Sequence, residues 1–244
     1  MYEEILNNTA HRDSPLPDAP WVMMQQWDHL LFRHYPIPCH VLTPYLPPGL
    51  QLDTFYGKAW LSIVSFKVSQ IRLRKMPLVP FADSSLQINV RTYVMRGNRK
   101  GVYFFSLDMN RLLAVLGARV AALSTYFANM SMENRDGVIH FSSERRGKEA
   151  GRLKVAYQPS SDIFYAEHER LTNWLLERYF LWTYRNGSLL RGAIHHKRWE
   201  IQEADVQTEK QSLTSFLSSH DLGAPLGHYA ASQVALIWML RKER

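Results

Sequence analysis

The sequence predicts an α+β fold, a single domain with a curved, mainly antiparallel β-sheet or barrel and packed helices. Three observations carry the prediction. Leu86 to Met95 alternates cleanly: Leu86, Ile88, Val90, Thr92 and Val94 face one way, and Gln87, Asn89, Arg91, Tyr93 and Met95 the other. The stretch from Arg96 to Gly101, with Gly97 inside it, reads as a hairpin connection to a returning strand at Val102 to Leu107. Met109, Leu112, Leu113, Leu116, Val120, Leu123, Phe127 and Met130 then fall at helical spacing and make one apolar stripe.

The remaining elements follow in chain order. Residues 1–20, punctuated by Pro15, Pro17 and Pro20, are expected to be peripheral, with the domain itself over 21–244. Trp21 to Phe32 is rich in apolar and aromatic residues, and prolines from Pro36 to Pro48 interrupt what comes after. That leaves room for one short helix within 39–46 and a turn at Pro47-Pro48-Gly49. Lys58 to Val68 is apolar on both sides, as a central strand is. Asp108 is placed to cap a helix from Met109 to Met130. Val138 to Arg145 and Arg152 to Tyr157 read as a second hairpin. A second helix is expected from Ala166 to Tyr184, stopped by Asn186-Gly187. Strands return at Leu189 to Ile201 and Ser232 to Met239. No fixed-period repeat or Pro/Gly/Ser-rich linker divides the 244 residues.

Composition excludes several classes. Apolar residues are 46% and charged residues 21%, which rules out a disordered tail, a collagen-like repeat and a coiled coil. A net charge of +7 favours solubility and mild attraction to anions. Cys39 stands alone, so no intrachain disulfide can form, and a reducing, cytoplasmic location is expected. The acidic start at Tyr2-Glu3-Glu4 lacks the basic region of a signal peptide, and the apolar run Val234 to Leu240 is too short to span a bilayer, so no membrane is expected as a partner. Basic residues cluster at hairpin connections (Arg96, Arg99, Lys100; Arg145, Arg146, Lys148, Arg152, Lys154) without interleaved aromatics, which reads as solvated turns and not as a nucleic-acid surface. Glycine-rich phosphate loops and the G-x-S-x-G elbow are absent. His195 and His196 are adjacent on a predicted strand, so one should point inward and one to solvent. No metal site and no cofactor are expected.

Two features point to a ligand. The polar strand face Gln87, Asn89, Arg91 and Tyr93 is either a solvent face or the inner wall of a cavity. Arg119 and Tyr126 lie two turns apart on the predicted helix, about 10.5 Å along its axis. Arg119 borders the apolar stripe, where a guanidinium needs either a structural carboxylate or an anionic ligand.

The blocks Leu42-Thr43-Pro44-Tyr45-Leu46-Pro47-Pro48-Gly49-Leu50-Gln51-Leu52-Asp53 and Gly57-Lys58-Ala59-Trp60-Leu61 resemble the start of the uncharacterised YqjF-like bacterial proteins. Asn89-Val90-Arg91-Thr92-Tyr93-Val94, Gly101 to Asp108, Ala114-Val115, Ala118-Arg119, Glu177-Arg178-Tyr179 and Ile194-His195-His196 with Trp199 continue the resemblance over roughly residues 21–240. That family is grouped with the acetoacetate decarboxylase-like proteins. The resemblance implies a barrel-like sheet around a central cavity. In the decarboxylases a lysine, preceded on the same segment by an arginine, forms a Schiff base with a keto acid. Lining that arginine up with Arg119 puts Tyr126 at the lysine position, and tyrosine cannot form a Schiff base. Gln87 stands where the YqjF-like pattern leads one to expect Glu, which removes a carboxylate base.

The leading expectation is therefore binding of a small organic acid or other anion, without lysine chemistry. The cavity would be lined by Gln87, Asn89, Arg91, Tyr93, Tyr103, Arg119 and Tyr126. No catalytic residue is assigned. Two alternatives remain: an enzyme acting on a small carboxylic or keto acid with Tyr126 as general acid, and a protein with a packed interior that acts through its surface.

Overall fold

A computed structural model describes residues 2–76, 84–111, 123–147, 150–167, 170–217 and 221–243. Thirteen strands are found among them: β1 (Met23–Ile37), β2 (Gln51–Leu52), β3 (Ala59–Leu73), β4 (Ser84–Arg96), β5 (Arg99–Met109), β6 (Thr125–Arg135), β7 (Val138–Arg145), β8 (Arg152–Pro159), β9 (Phe180–Arg185), β10 (Ser188–His195), β11 (Gln202–Gln211), β12 (Leu226–Ile237) and β13 (Arg241–Lys242). Three short helices accompany them: α1 (Tyr2–Asn7), α2 (Cys39–Leu42) and α3 (Leu171–Leu176).

All thirteen strands join one sheet in the order β13-β10-β9-β5-β6-β7-β8-β11-β12-β1-β3-β4-β2, and β4 also pairs with β5, and β10 with β12. These extra pairings fold the sheet back on itself. One circuit of neighbours runs through β6, β7, β8 and β11, the other through β9 and β10, and both share β1, β3, β4, β5 and β12. Pairing is antiparallel except where β5 meets β6 and β9. The result is the expected single domain with a curved, mainly antiparallel sheet, though not a clean barrel.

The shared strands are buried on both faces, and this explains their two-sided apolar sequence. Leu31, Tyr35, Leu61, Ile63, Ile88 and Val90 pack one way, against Ile139 and Phe141 of β7 and Leu153 and Val155 of β8. Leu30, Phe32, Trp60, Val64, Phe66 and Tyr93 pack the other way, against Leu175 and Leu176 of α3 and against Trp199 and Ile201. The turn after α2 is as read: Leu50 N–H donates to Pro47 O, and Gly49 takes φ +88°, a conformation that a residue with a Cβ rarely adopts. No described helix is long and apolar enough to cross a membrane.

Several expectations need correction. The helix from Met109 to Met130 is not formed at either end: β5 runs to Met109 and β6 begins at Thr125, while residues 112–122, Arg119 among them, lie outside the described residues. Leu107–Met109 and Thr125–Phe127 pair in parallel, and β6 then turns into β7 through Asp136-Gly137, with φ +52° and +88°. Two successive positive φ values match the favoured two-residue hairpin loop. The helix from Ala166 to Tyr184 shrinks to α3. Glu177 (ψ 77°) leaves the helical region, and the aromatic run from Phe180 on becomes β9, paired with both β5 and β10. The strand expected at Leu189 to Ile201 ends at His195, and the long strands β1 and β11 were not foreseen.

The N-terminal segment lies over the sheet, anchored by Ile5 while the rest of residues 2–20 is half-buried or exposed. Ile5 of α1 is buried with Trp21, Met24, Phe180, Leu236 and Trp238.

Candidate functional site

Cross-strand pairing arranges the polar residues of β4 into rows. His34 pairs with Ser62, and Ser62 with Arg91. His228 pairs with Phe32, Phe32 with Val64, and Val64 with Asn89. Phe66 pairs with Gln87. Directly paired residues share a face, so Gln87, Asn89, Arg91 and Tyr93 lie on the inner face packed under α3 and Trp199, together with His34, Ser62 and His228. This face is no solvent face: His34 and Tyr93 are 0% exposed, Asn89 4% and His228 6%.

A hydrogen-bonded triangle fixes its centre. His34 Nδ1 lies 2.6 Å from Ser62 Oγ, Tyr93 Oη lies 2.6 Å from the same Oγ, and Tyr93 Oη lies 3.2 Å from His34 Nδ1. The His228 ring is 5.4 Å from the His34 ring. Burial, then the proximity of His228 and Arg91, holds His34 well below the ordinary histidine range, and burial pushes His228 down to about 4. Both rings are neutral at pH 7. The Arg91 guanidinium lies 5.9 Å from the centres of both the Phe32 and the Tyr93 rings. Trp174 of α3 covers Tyr93 at 4.7 Å, and Trp199 meets Phe32 edge-on at 5.2 Å. Arg178 fastens this cover: Nη1 donates to Asp53 Oδ2 (2.5 Å), Nε donates to Trp174 O (2.6 Å), and the guanidinium sits 4.2 Å from the Trp174 ring.

Four buried polar atoms of this face have no hydrogen-bond partner among the described residues: His34 Nε2, Asn89 Oδ1, Arg91 Nε and His228 Nδ1. None of the ion pairs among the described residues involves Arg91. Gln87, half-buried, is within 3.4 Å of Ser85 Oγ.

Two of the sequence-predicted residues lie elsewhere. Tyr103 pairs with Thr92 and so takes the opposite face, packing with Phe105 and beside Val94 and Trp182. Burial raises its phenol above the usual range. Tyr126 pairs with Asp108, which pairs with Ile88, again the opposite face. The cation over its ring is Arg145, at 4.2 Å, and Arg145 is held by Asp108 (2.7 Å) and Ser106 (2.7 Å). Two surface clefts, of about 350 and about 650 Å³, meet none of the predicted residues. The sequence reading missed His34, Ser62 and His228, although Leu30, Phe32 and His34 already fall at strand spacing and could have placed His34 on a buried face.

The adjacent histidines also differ from expectation, because both are buried, His195 at 0% and His196 at 1%. The N-terminal segment covers the side expected to meet solvent. His195 Nε2 donates to Ile5 O (2.7 Å), and its Nδ1 accepts from Arg12 Nη1 (3.0 Å). His196 Nδ1 donates to Lys197 O (2.7 Å). Burial pushes His195 down to about 4 and His196 to about 3. Beside them Glu177 accepts from the Tyr179 hydroxyl and, at 3.3 Å, from Trp199 N–H; burial raises its carboxyl.

Comparison with known proteins agrees with this architecture. Residues 24–234 match the DUF2071 family, described as an uncharacterized conserved protein. The chain is 38% identical over 232 residues to the uncharacterized protein YqjF of Bacillus subtilis (strain 168), covering 93% of this chain and 95% of that one. Among solved structures it is similar to an acetoacetate decarboxylase-like enzyme from Sphingomonas wittichii RW1 (TM-score 0.65, 12% identity, 93% of this chain and 94% of that one). It is also similar to the enduracididine biosynthesis enzyme MppR complexed with pyruvate (TM-score 0.65, 10% identity, 94% and 93%) and to acetoacetate decarboxylase from Legionella pneumophila (TM-score 0.62, 13% identity, 98% and 95%). At these identities the structural likeness concerns the fold. The chain belongs to the DUF2071 family, to which the YqjF-like resemblance pointed, and it carries the acetoacetate decarboxylase-like fold.

Proposed function

We propose that this protein binds a small organic acid on the inner face of β1, β3, β4 and β12, with Arg91 as the carboxylate anchor. One observation carries the reading: Arg91, with no carboxylate partner among the described residues, sits on a face where His34, Asn89 and His228 also present unpartnered polar atoms. A guanidinium cannot lose its charge, so a half-buried one without a carboxylate favours an anion. Neutral His34 and His228 can donate further hydrogen bonds, Asn89 Oδ1 can accept one from a bridging water, and Phe32 and Val64 supply apolar contact, as small-molecule sites generally require. MppR, similar in fold, is described as complexed with pyruvate, which makes a keto acid the first probe. Schiff-base chemistry is not part of the proposal. The paired rows described above hold no lysine, and none occurs between Met109 and Met130. Tyr126 as general acid receives no support from its place on the opposite face.

The test is calorimetric titration of pyruvate and acetoacetate into wild type and Arg91→Met, with folding confirmed in both. Loss of a hydrogen bond to a charged group, about 1.5–3 kcal/mol, should weaken binding roughly 10- to 150-fold. Equal affinity in the two proteins would end the anchor assignment. Arg33 is the internal comparison: its Nε and Nη1 are also buried without partners, but it lies on the opposite face and donates to Thr208 Oγ1. Arg33→Met should leave affinity unchanged. Borohydride added with acetoacetate should leave the protein mass unchanged.

A further inference from the structure

We infer that His11, Glu177 and His196 form a binding site for a first-row divalent cation, with zinc as the representative ion. Among the described residues these three each offer one ligand atom, and the three atoms lie within 4.8 Å of one another. They come from three parts of the chain: the segment after α1, the residue after α3 and the residue after β10. His11 and His196 are 185 residues apart in sequence.

The surroundings of the trio are those of a ligand set. A carbonyl oxygen only accepts, so a ring nitrogen bonded to one must carry the proton. His196 Nδ1 donates to Lys197 O (2.7 Å), which leaves Nε2 as the bare nitrogen. His11 Nε2 donates to His196 O (2.9 Å), which leaves Nδ1 bare. Metal-bound histidines typically donate their second ring N–H in this way, and ligating carboxylates are in turn hydrogen-bonded. Glu177 meets the second condition through the Tyr179 hydroxyl and Trp199 N–H. Tyr179 and Trp199 also wall His196, with ring centres at 5.1 and 4.8 Å.

Two imidazoles and a carboxylate are ligands that zinc and its neighbours accept, with at least one position left for water. Tetrahedral zinc with bonds of about 2.0–2.1 Å holds its ligand atoms about 3.3 Å apart, so binding would draw the trio together. His11 is the half-buried member and the side of entry. Arg12 opposes a cation, but its guanidinium is directed at His195 Nδ1 and Ile194 O and lies over the Tyr179 ring. Bound metal would clasp the N-terminal segment to the sheet. The expectation of no metal rests on Cys39 standing alone and on His195 and His196 diverging, and His11 lies too far away in sequence to enter it.

The experiment titrates zinc into chelator-treated full-length protein by calorimetry and repeats the titration with His11→Ala, Glu177→Gln and Cys39→Ser. The expected result is one zinc per chain, affinity weakened at least about tenfold in His11→Ala and Glu177→Gln, and no change in Cys39→Ser. Absence of stoichiometric binding in wild type, or binding that His11→Ala leaves intact, overturns the assignment. Cobalt(II) substitution in wild type needs no variant to fold. Visible ligand-field bands without a thiolate charge-transfer band support the trio, whereas a thiolate band moves the site to Cys39 and refutes it.

Discussion

Asp53→Asn isolates the ion pair that holds the cover of the polar face in place. Asp53 N–H donates to Tyr93 O, which fixes the residue beside β4, and its carboxylate receives Arg178 Nη1 at 2.5 Å. The side chains are 8% and 3% exposed, so solvent screens the pair weakly. Asparagine keeps the shape and an acceptor oxygen but removes the charge. Arg178 is then a buried cation without a counter-charge, left with the neutral amide oxygen, Trp174 O and the faces of Trp174 and Tyr93. Breaking a buried pair from one side costs about 3–5 kcal/mol. For a domain of this size each kcal/mol lowers the melting temperature by about 2–4 °C, so the expected loss is about 6–20 °C. Calorimetric melting of wild type, Asp53→Asn, Arg178→Met and the double variant gives the test. The double variant should recover much of the loss, because it removes the uncompensated charge. An Asp53→Asn protein within about 0.5 kcal/mol of wild type, the range of ordinary surface changes, would refute the reasoning.

Three further predictions concern pH, packing and face assignment. His195, His196 and His228 have folded-state values of about 4, 3 and 4 against an ordinary 6.5, so the unfolded chain binds more protons below pH 6.5 and stability should fall as pH drops from 7 towards 4. The raised carboxyls of Glu177 and Asp108 act in the opposite sense, and a melting temperature that does not fall between pH 7 and pH 5 would contradict dominance of the histidines. At Gly101 a Cβ would stand 2.5 Å from Phe180 O, where β5 meets β9, so Gly101→Ala should lower stability by about 1–3 kcal/mol in urea unfolding; an unchanged midpoint would contradict the close approach. Tyr126→Phe should leave organic-acid affinity unchanged, since Tyr126 lies on the other face of the sheet, and a tenfold loss in titration would place it back in the site.

The legible part of this fold was the part with local signals. Strict alternation located β4, and the glycine-flanked connection located the hairpin to β5. What failed was spacing read without partners. The helical stripe through Leu123, Phe127 and Met130 lies over a segment where Thr125 onward is strand, and the Asp136-Gly137 dipeptide was the overlooked sign of its hairpin. β1 escaped because it is two-sided, carries Pro36 and is interrupted at His29, where φ is +53° and the register with β3 shifts. The site suffered accordingly. Gln87, Asn89, Arg91 and Tyr93 share one face of β4, because period two fixes it. Their partners His34 and His228 come from strands distant in sequence, and only the pairing of β12 with β1 and of β1 with β3 brings them together.

The central claim is that a carboxylate docks on Arg91 at the inner face. A crystal structure of the protein soaked with pyruvate tests it most directly. The expected result is a carboxylate within about 3 Å of Arg91 Nε, an ordinary hydrogen-bond distance, with His34 Nε2 or His228 Nδ1 within reach of the ligand and Asn89 Oδ1 accepting from a bridging water. Pyruvate bound elsewhere, or an inner face closed over Arg91 with no ligand at saturating concentration, would contradict it.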